Sequence, residues 1–272
     1  MYKKTLLAFL IILLFPLQVL AETVLEKVKR TGELNAATRQ DAIPFGYIDN
    51  NNQWTGYSLD LILLIRQQLE KELKRPVKLK LTESTVDNRF DVIQSKKVDL
   101  ICDPTTMTQE RLEKVEFSVP YFMTGTQFLV KLQDAPQFDV NGTLDGVAIG
   151  YIPNTTTDQI VRQIYPLAKW EVVKSREEGV EKLKIGEVSA VASDGILLIG
   201  ELVRNGNDPK EFALTPRQPM TTELYGCMLP KNDPKWKQFV DQVVTSPNHQ
   251  EIQEKWFNVD QGSFPYTVRV EP

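Results

Sequence analysis

The stretch from Asp99 to Phe122, D-L-I-C-D-P-T-T-M-T-Q-E-R-L-E-K-V-E-F-S-V-P-Y-F, constrains the fold more than any other part of the chain. A short apolar strand, Leu100 to Cys102, runs into Asp103 and Pro104, passes Thr105, Thr106 and Thr108, and enters a polar helical turn carrying Arg111. A strand that ends in a polar turn and restarts as a helix belongs to an open α/β sheet, where ligands meet the loops at the carboxyl ends of strands. The turn is suited to an anion. Free amides at a helix start, the Thr106 hydroxyl and the guanidinium fork of Arg111 all donate toward a carboxylate. Pro104 has no amide, but its carbonyl accepts from an ammonium group. The plain alternative is a solvated helix face on which Arg111 sits among Glu110, Glu113 and Lys114.

The segments before this stretch extend the α/β pattern. Residues 22 to 33 read as a short amphipathic helix closed by Gly32, followed by a small-residue strand from Leu34 to Thr38. Arg39 leaves that strand's carboxyl end, placed either to reach a cleft or to lie on a surface loop. D-N-N-N-Q before Trp54 reads as a hairpin turn, and as a calcium loop it fails because Trp54 stands where glycine is required. Ser58 is the expected cap of a strong helix in which Leu61, Ile65, Leu69 and Leu73 recur every fourth residue. Val77, Leu79 and Leu81 then alternate with lysines as a half-exposed strand, completing a β-α-β unit. A second helix over 85 to 95 buries Val86, Phe90 and Ile93, with Arg89 near its start facing either cleft or solvent.

After Phe122 the strand T-G-T-Q-F-L-V-K-L leads away to an acidic, proline-broken segment, Gln133 to Val140, which suits a boundary. A second α/β unit opens with Val147 to Tyr151, then P-N-T-T-T, where Thr155, Thr156 and Thr157 are expected to cap a helix and make a second anion cradle. Ser175 and Arg176 start another helix. Asp194 ends a buried strand of small residues and serves either as the cap of the next helix or as the partner of a cation. The strand E-L-Y-G-C-M-L, Glu223 to Leu229, returns the chain, and two closing helices follow, over 235 to 244 and 250 to 257. The expected division is 1–21 signal peptide, 22–131 first lobe, 132–224 second lobe, and 225–272 returning to the first. Two crossings between lobes make a hinge.

Composition narrows the setting. With 272 residues, 42% hydrophobic and 25% charged, the chain is that of an ordinary globular protein of about two domains. Lys3 and Lys4 precede an apolar run from Leu6 to Leu20, broken by Pro16 and shorter than the roughly 20 residues of a membrane span. Cleavage after Ala21 and export to the periplasm are the expectation. Loss of the two lysines takes the formal charge from −4 to −6, so nothing suggests nucleic acid. Cys102 and Cys227 are candidates for a disulfide in an exported protein, the alternative being two buried thiols. The single histidine, His249, has no evident triad partner, and neither metal nor cofactor is expected.

The motifs R-Q-D-A-I-P-F-G-Y-I-D-N-N, G-Y-S-L-D, D-N-R-F, T-T-M-T-Q-E-R and Y-G-C-M-L-P-K-N-D-P together resemble the family 3 periplasmic solute-binding proteins. Within that family they are most similar to the glutamate/aspartate-binding components of bacterial importers, and the proline–threonine–arginine pattern also occurs in the ligand cores of ionotropic glutamate receptors. The resemblance implies a type II periplasmic binding protein fold, two α/β lobes joined by a two-strand hinge. It implies that Thr106 and Arg111 clamp an α-carboxylate while Asp194 and the Pro104 carbonyl take the α-ammonium. Arg39, Arg89, Thr155 and Arg176 would surround the side chain.

Four arginines against Asp194 argue for a dicarboxylate, because a neutral amino acid would leave buried guanidiniums unpaired. Proline at 104 and valine at 86 stand where the dicarboxylate binders carry serines, and Arg176 replaces a histidine. The implied partner is an ABC permease of the inner membrane, served by a monomer that closes on its ligand and catalyses nothing. The rival readings are a periplasmic dehydratase of the prephenate/arogenate type, with Asp103 or Glu223 as its acid, and a polar amino-acid binder or sensor module.

Overall fold

The computed structural model describes residues 22–204, 206–258 and 267–268. The expected signal peptide and its cleavage point after Ala21 lie outside the described residues, as does most of the chain after Asn258. Among the described residues no helix is long and apolar enough to cross a membrane.

Two five-stranded sheets carry the molecule. In the first, the order is Lys78–Glu83, Glu33–Thr38, Leu100–Ile101, Met228–Leu229 and Glu116–Phe117. Its first three strands are parallel, with Ala36 opposite both Leu81 and Leu100, while Met228–Leu229 runs antiparallel to its neighbours. The second sheet repeats the scheme with Lys169–Val172, Ala148–Tyr151, Ala190–Asp194, Thr126–Lys131 and Phe212–Thr215. Here the antiparallel strand is Thr126–Lys131. A short antiparallel ribbon, Phe122–Thr124 against Glu223–Tyr225, joins the two. In each sheet the antiparallel strand is the one that the ribbon delivers, so the α/β two-lobe architecture with a two-strand hinge is realised. The second sheet takes up the chain at Thr126, and the division expected after Lys131 falls behind a strand whose partners are all in that sheet.

Local chemistry explains the elements. Val24–Thr31 is a helix with a complete capping box, Thr23 and Glu26 bonding each other's backbone, and Gly32 ends it at φ 72°. The long helix Tyr57–Leu73 is capped differently from expectation. Its N-cap is Gly56 at φ 127°, and Ser58 lies buried inside the first turn. A β-carbon at 56 would meet the Phe45 carbonyl oxygen at 2.1 Å, so close backbone approach, not a hydroxyl cap, sets this helix start. The D-N-N-N-Q turn forms as read: Asp49 Oδ1 accepts from the amides of Asn51 and Gln53 and closes the hairpin between Gly46–Ile48 and Trp54–Thr55.

The first lobe packs its sheet and helices around an aromatic cluster of Phe45, Tyr57, Phe122, Tyr225 and Phe257, joined mostly edge to face at ring separations of 4.7 to 6.2 Å. Cys102 and Cys227 are bonded within it, linking the end of the third strand to the return strand across 125 residues of chain. A loop of that length closed by a disulfide removes about 4–5 kcal/mol of chain entropy from the unfolded state. In the second lobe, two smaller clusters lie around Phe128 with Ile149 and around Leu129 with Val180.

Candidate functional site

The loops at the carboxyl ends of both sheets converge on the hinge ribbon. From the first lobe come three buried arginines. Arg111, on the short helix Gln109–Lys114, donates Nη1–H to the Thr106 carbonyl at 2.8 Å. Arg89 donates to the Thr105 hydroxyl at 3.3 Å, and Thr105 in turn donates to Asp103, which also accepts from Ser84. Both guanidiniums lie over the ring of Phe90, at 5.3 Å for Arg89 and 6.0 Å for Arg111. Arg39 is held in a two-point fork by Asp41, with both contacts at 2.7 Å.

The second lobe answers with Asp194 and Arg176. Asp194 ends its strand, as read from the sequence, and Oδ2 accepts from the Tyr225 hydroxyl. Its Oδ1 is buried without a partner. Arg176 opens the helix Arg176–Ile185 and donates Nε–H to the Ser193 hydroxyl at 3.0 Å, while its Nη1 has no acceptor. Arg89 Nε is likewise buried and unpaired. Orphaned buried donors and an orphaned carboxylate oxygen cost free energy unless something pairs with them.

These groups form one electrostatic neighbourhood. Burial pulls Arg111 below the ordinary guanidinium range, opposed by Glu223, Asp194 and Asp103. Burial likewise lowers Arg89 to about 10, opposed by Asp103 and reinforced by Arg111, Arg39 and Arg176. It stays charged at neutral pH. Asp194 is pushed up to about 7, by burial first and then by Glu223, against the pull of Tyr225, Arg176 and Arg111.

Three expectations need correction. Thr155 does not face the cleft: its hydroxyl donates to the Ile152 carbonyl and accepts from the Asp158 amide. Thr155 thus caps the wide turn Thr157–Val161, as expected of it, and it is Thr156, one residue on, that turns inward and donates to Glu223 Oε2 at 2.6 Å. The Thr106 hydroxyl, read as a donor to a ligand carboxylate, donates to Glu223 Oε2 at 2.5 Å. The charge count also changes, for Arg39, Arg89, Arg111 and Arg176 stand beside Asp41, Asp103, Asp194 and Glu223. Pro104 is half-buried at the start of its loop.

Glu223 is the member that sequence reasoning placed only as an enzyme's acid. It is 1% exposed, and the strand's alternation signals this, since Glu223 and the buried Tyr225 share one face while Leu224 between them is exposed. Elsewhere, a groove of about 450 Å³ runs past Lys27, Asp99 and Leu229 on the first lobe, away from these residues. Two of its charges, Lys27 and Asp99, satisfy each other at 2.6 Å, whereas Arg89, Arg176 and Asp194 in the cleft each keep an unpaired buried atom. Among the described residues no cluster of histidine, cysteine and acidic side chains is arranged to hold a metal ion.

Comparison with known proteins gives the family. Residues 34–259 match the family described as bacterial extracellular solute-binding proteins, family 3. A glutamate/aspartate import solute-binding protein of Salmonella typhimurium is 29% identical over 247 residues, 88% of this chain and 79% of that one. An L-glutamate/L-aspartate-binding protein of Pseudomonas aeruginosa is 30% identical over 244 residues, covering 86% and 79%. The L-cystine-binding protein TcyJ of Escherichia coli is 26% identical over 243 residues, 88% of each. Among solved structures, an ancestral amino acid-binding protein described as a precursor of cyclohexadienyl dehydratase superposes with a TM-score of 0.73 at 24% identity, over 86% of this chain and 99% of its own. The chain belongs to the bacterial extracellular solute-binding proteins of family 3.

Proposed function

We propose that this protein is the amino-acid-binding component of an ABC importer, that glutamate or aspartate is its ligand, and that it works by lobe closure. The observation that carries this reading is the division of the cleft. Arg111, with donors to spare, stands on one lobe, and Asp194, with a free buried oxygen, stands on the other. A small zwitterion satisfies both at once: its carboxylate takes the guanidinium fork and its ammonium takes Asp194. Arg89 Nε and Arg176 Nη1 are further donors for a second, distal carboxylate. A ligand that contacts both lobes binds the closed arrangement better than the open one and shifts the population toward it. The closed form is then what a membrane permease recognises.

The nearest alternative is another polar amino acid. It is favoured by the Arg39–Asp41 fork, because a guanidinium already neutralised by its neighbour does not call for a ligand carboxylate. The L-cystine-binding relative shows that similar sequences take other ligands. An acid catalyst has less support, since Asp103 and Glu223 each accept several hydroxyl hydrogen bonds.

A thermal-shift screen of the standard amino acids tests the assignment. Glutamate and aspartate should raise the melting temperature most, with glutamine well behind. An equal shift from glutamine moves the protein to the polar amino-acid binders, and no shift from any amino acid refutes the proposal.

A further inference from the structure

Glu223 stands on the hinge ribbon, opposite Thr124. Its carboxylate collects hydroxyls from both lobes. Oε2 accepts from Thr106 at 2.5 Å and from Thr156 at 2.6 Å, and Oε1 accepts from Thr126 and Thr221, each at 2.8 Å. A carboxylate has about four acceptor positions, and all are used. A threonine hydroxyl has one proton and two lone pairs, so each of these four has given away its only proton. The chain of donation runs on: with the Thr126 proton committed to Glu223, the contact of 3.4 Å between Thr126 and Thr157 has Thr157 as its donor.

We infer that Glu223 sets the hydrogen-bonding polarity of the cleft, turning the lone pairs of Thr106 and Thr156 toward the ligand so that both threonines accept from its ammonium group and neither donates to its carboxylate. The inference rests on the amino-acid reading above and narrows it. The cleft's acceptors are then two threonine oxygens and the unpaired Asp194 Oδ1, and its donors are the guanidinium groups, each set drawn from both lobes. Such a site takes free primary α-amino acids, and it leaves an acceptor unpaired when the amine is missing or blocked. Glu223 is therefore a positioning residue. It acts through the threonines, at a point of the hinge where one carboxylate reaches both lobes.

The test compares two ligands with the same pair of carboxylates, L-glutamate and glutarate, the second lacking the amine. Calorimetry gives the glutamate affinity, and displacement of glutamate gives that of glutarate. Glu223→Gln keeps the shape but presents an amide that must donate where the carboxylate accepted, which forces at least one hydroxyl to reverse. Glutamate should bind at least tenfold more weakly to this variant, with glutarate changed less than threefold. Equal losses for both ligands, or a glutamate affinity within threefold of wild type, would overturn the inference.

If circular dichroism shows that Glu223→Gln does not fold, Thr106→Val serves in its place, deleting the acceptor while Glu223 keeps three donors. The same split is expected. A loss shared equally by glutarate would mean that Thr106 donates to a carboxylate and would end the proposal. Wild-type protein that binds no amino acid would instead overturn the underlying reading, and this inference with it.

Discussion

The two lobes repeat one sheet order and are held together very differently. The first lobe has the aromatic cluster and the buried disulfide, and its three cleft arginines are already engaged by groups of their own lobe, Asp41, Thr105 and the Thr106 carbonyl. The first lobe's core is one large cluster and one small one around Ile101 and Phe117, whereas the second has two small clusters and no large one. Every exposed large apolar side chain among the described residues lies on the hinge ribbon or in the second lobe, among them Leu132, Ile164, Val172 and Ile185. Unpaired cleft atoms occur in both lobes, Arg89 Nε in the first and Asp194 Oδ1 and Arg176 Nη1 in the second, but the orphaned acceptor is in the second. On the function proposed above, the better-packed first lobe would receive the carboxylate and the second would close on it.

Removing the first lobe's anchor should have the largest effect. Arg111→Ala should weaken glutamate by about a thousandfold, or about 4 kcal/mol, because it leaves a ligand carboxylate in a dry cleft without its fork. Calorimetry that returned the wild-type affinity would remove Arg111 from the site. Taking away the closing lobe's charge should cost less. Asp194→Asn is expected to lose about 2–3 kcal/mol for glutamate, with succinate changed far less, since only the amino acid brings an ammonium. Equal losses for the two ligands would contradict that role.

A third variant keeps both halves and obstructs their approach. A β-carbon at Gly200, on the helix Gly195–Arg204, would lie 2.3 Å from the Ile43 carbonyl oxygen of the first lobe. Gly200→Val should therefore cost about 2 kcal/mol of glutamate affinity through overpacking at the contact between lobes, without altering any polar group of the cleft. If affinity is retained, that contact does not accompany closure.

The smallest effect titrates the second lobe alone. With Asp194 at about 7 against an ordinary 3.8, the group stabilises the fold most below pH 4, and that contribution is lost as pH rises through 7, because the carboxyl must ionise while buried. An ammonium ligand needs the ionised form. Glutamate should then bind about tenfold more weakly at pH 6 than at pH 8, with protons released on binding at pH 7. Affinity that is flat across this range would show that Asp194 is not the titrating partner.

Much of the fold was legible in the chain. The spacing of Leu61, Ile65 and Leu69, the alternation of Val77, Leu79 and Leu81, and the strand-to-helix turn after Cys102 each follow from side-chain period and backbone restriction, which are local properties. The site was only partly legible. Thr155 and Thr156 are adjacent on a helix start, and what separates them is a tertiary partner: Thr155 bonds its own turn while Thr156 reaches Glu223. Asp41 lies two residues from Arg39, near enough in sequence to suggest a pair, yet the fork needs the backbone turn between the two strands. Glu223 escaped for a different reason. Its partners come from residues 106, 126, 156 and 221, a convergence that no sequence window contains.

Small-angle X-ray scattering on wild-type protein and the Gly200→Val variant, each with and without saturating glutamate, measures the closure of one lobe on the other. The radius of gyration of the wild type should fall when glutamate is added, and that of the variant should fall less or not at all. A wild type that binds glutamate by calorimetry while its radius of gyration stays constant would contradict closure as the mechanism.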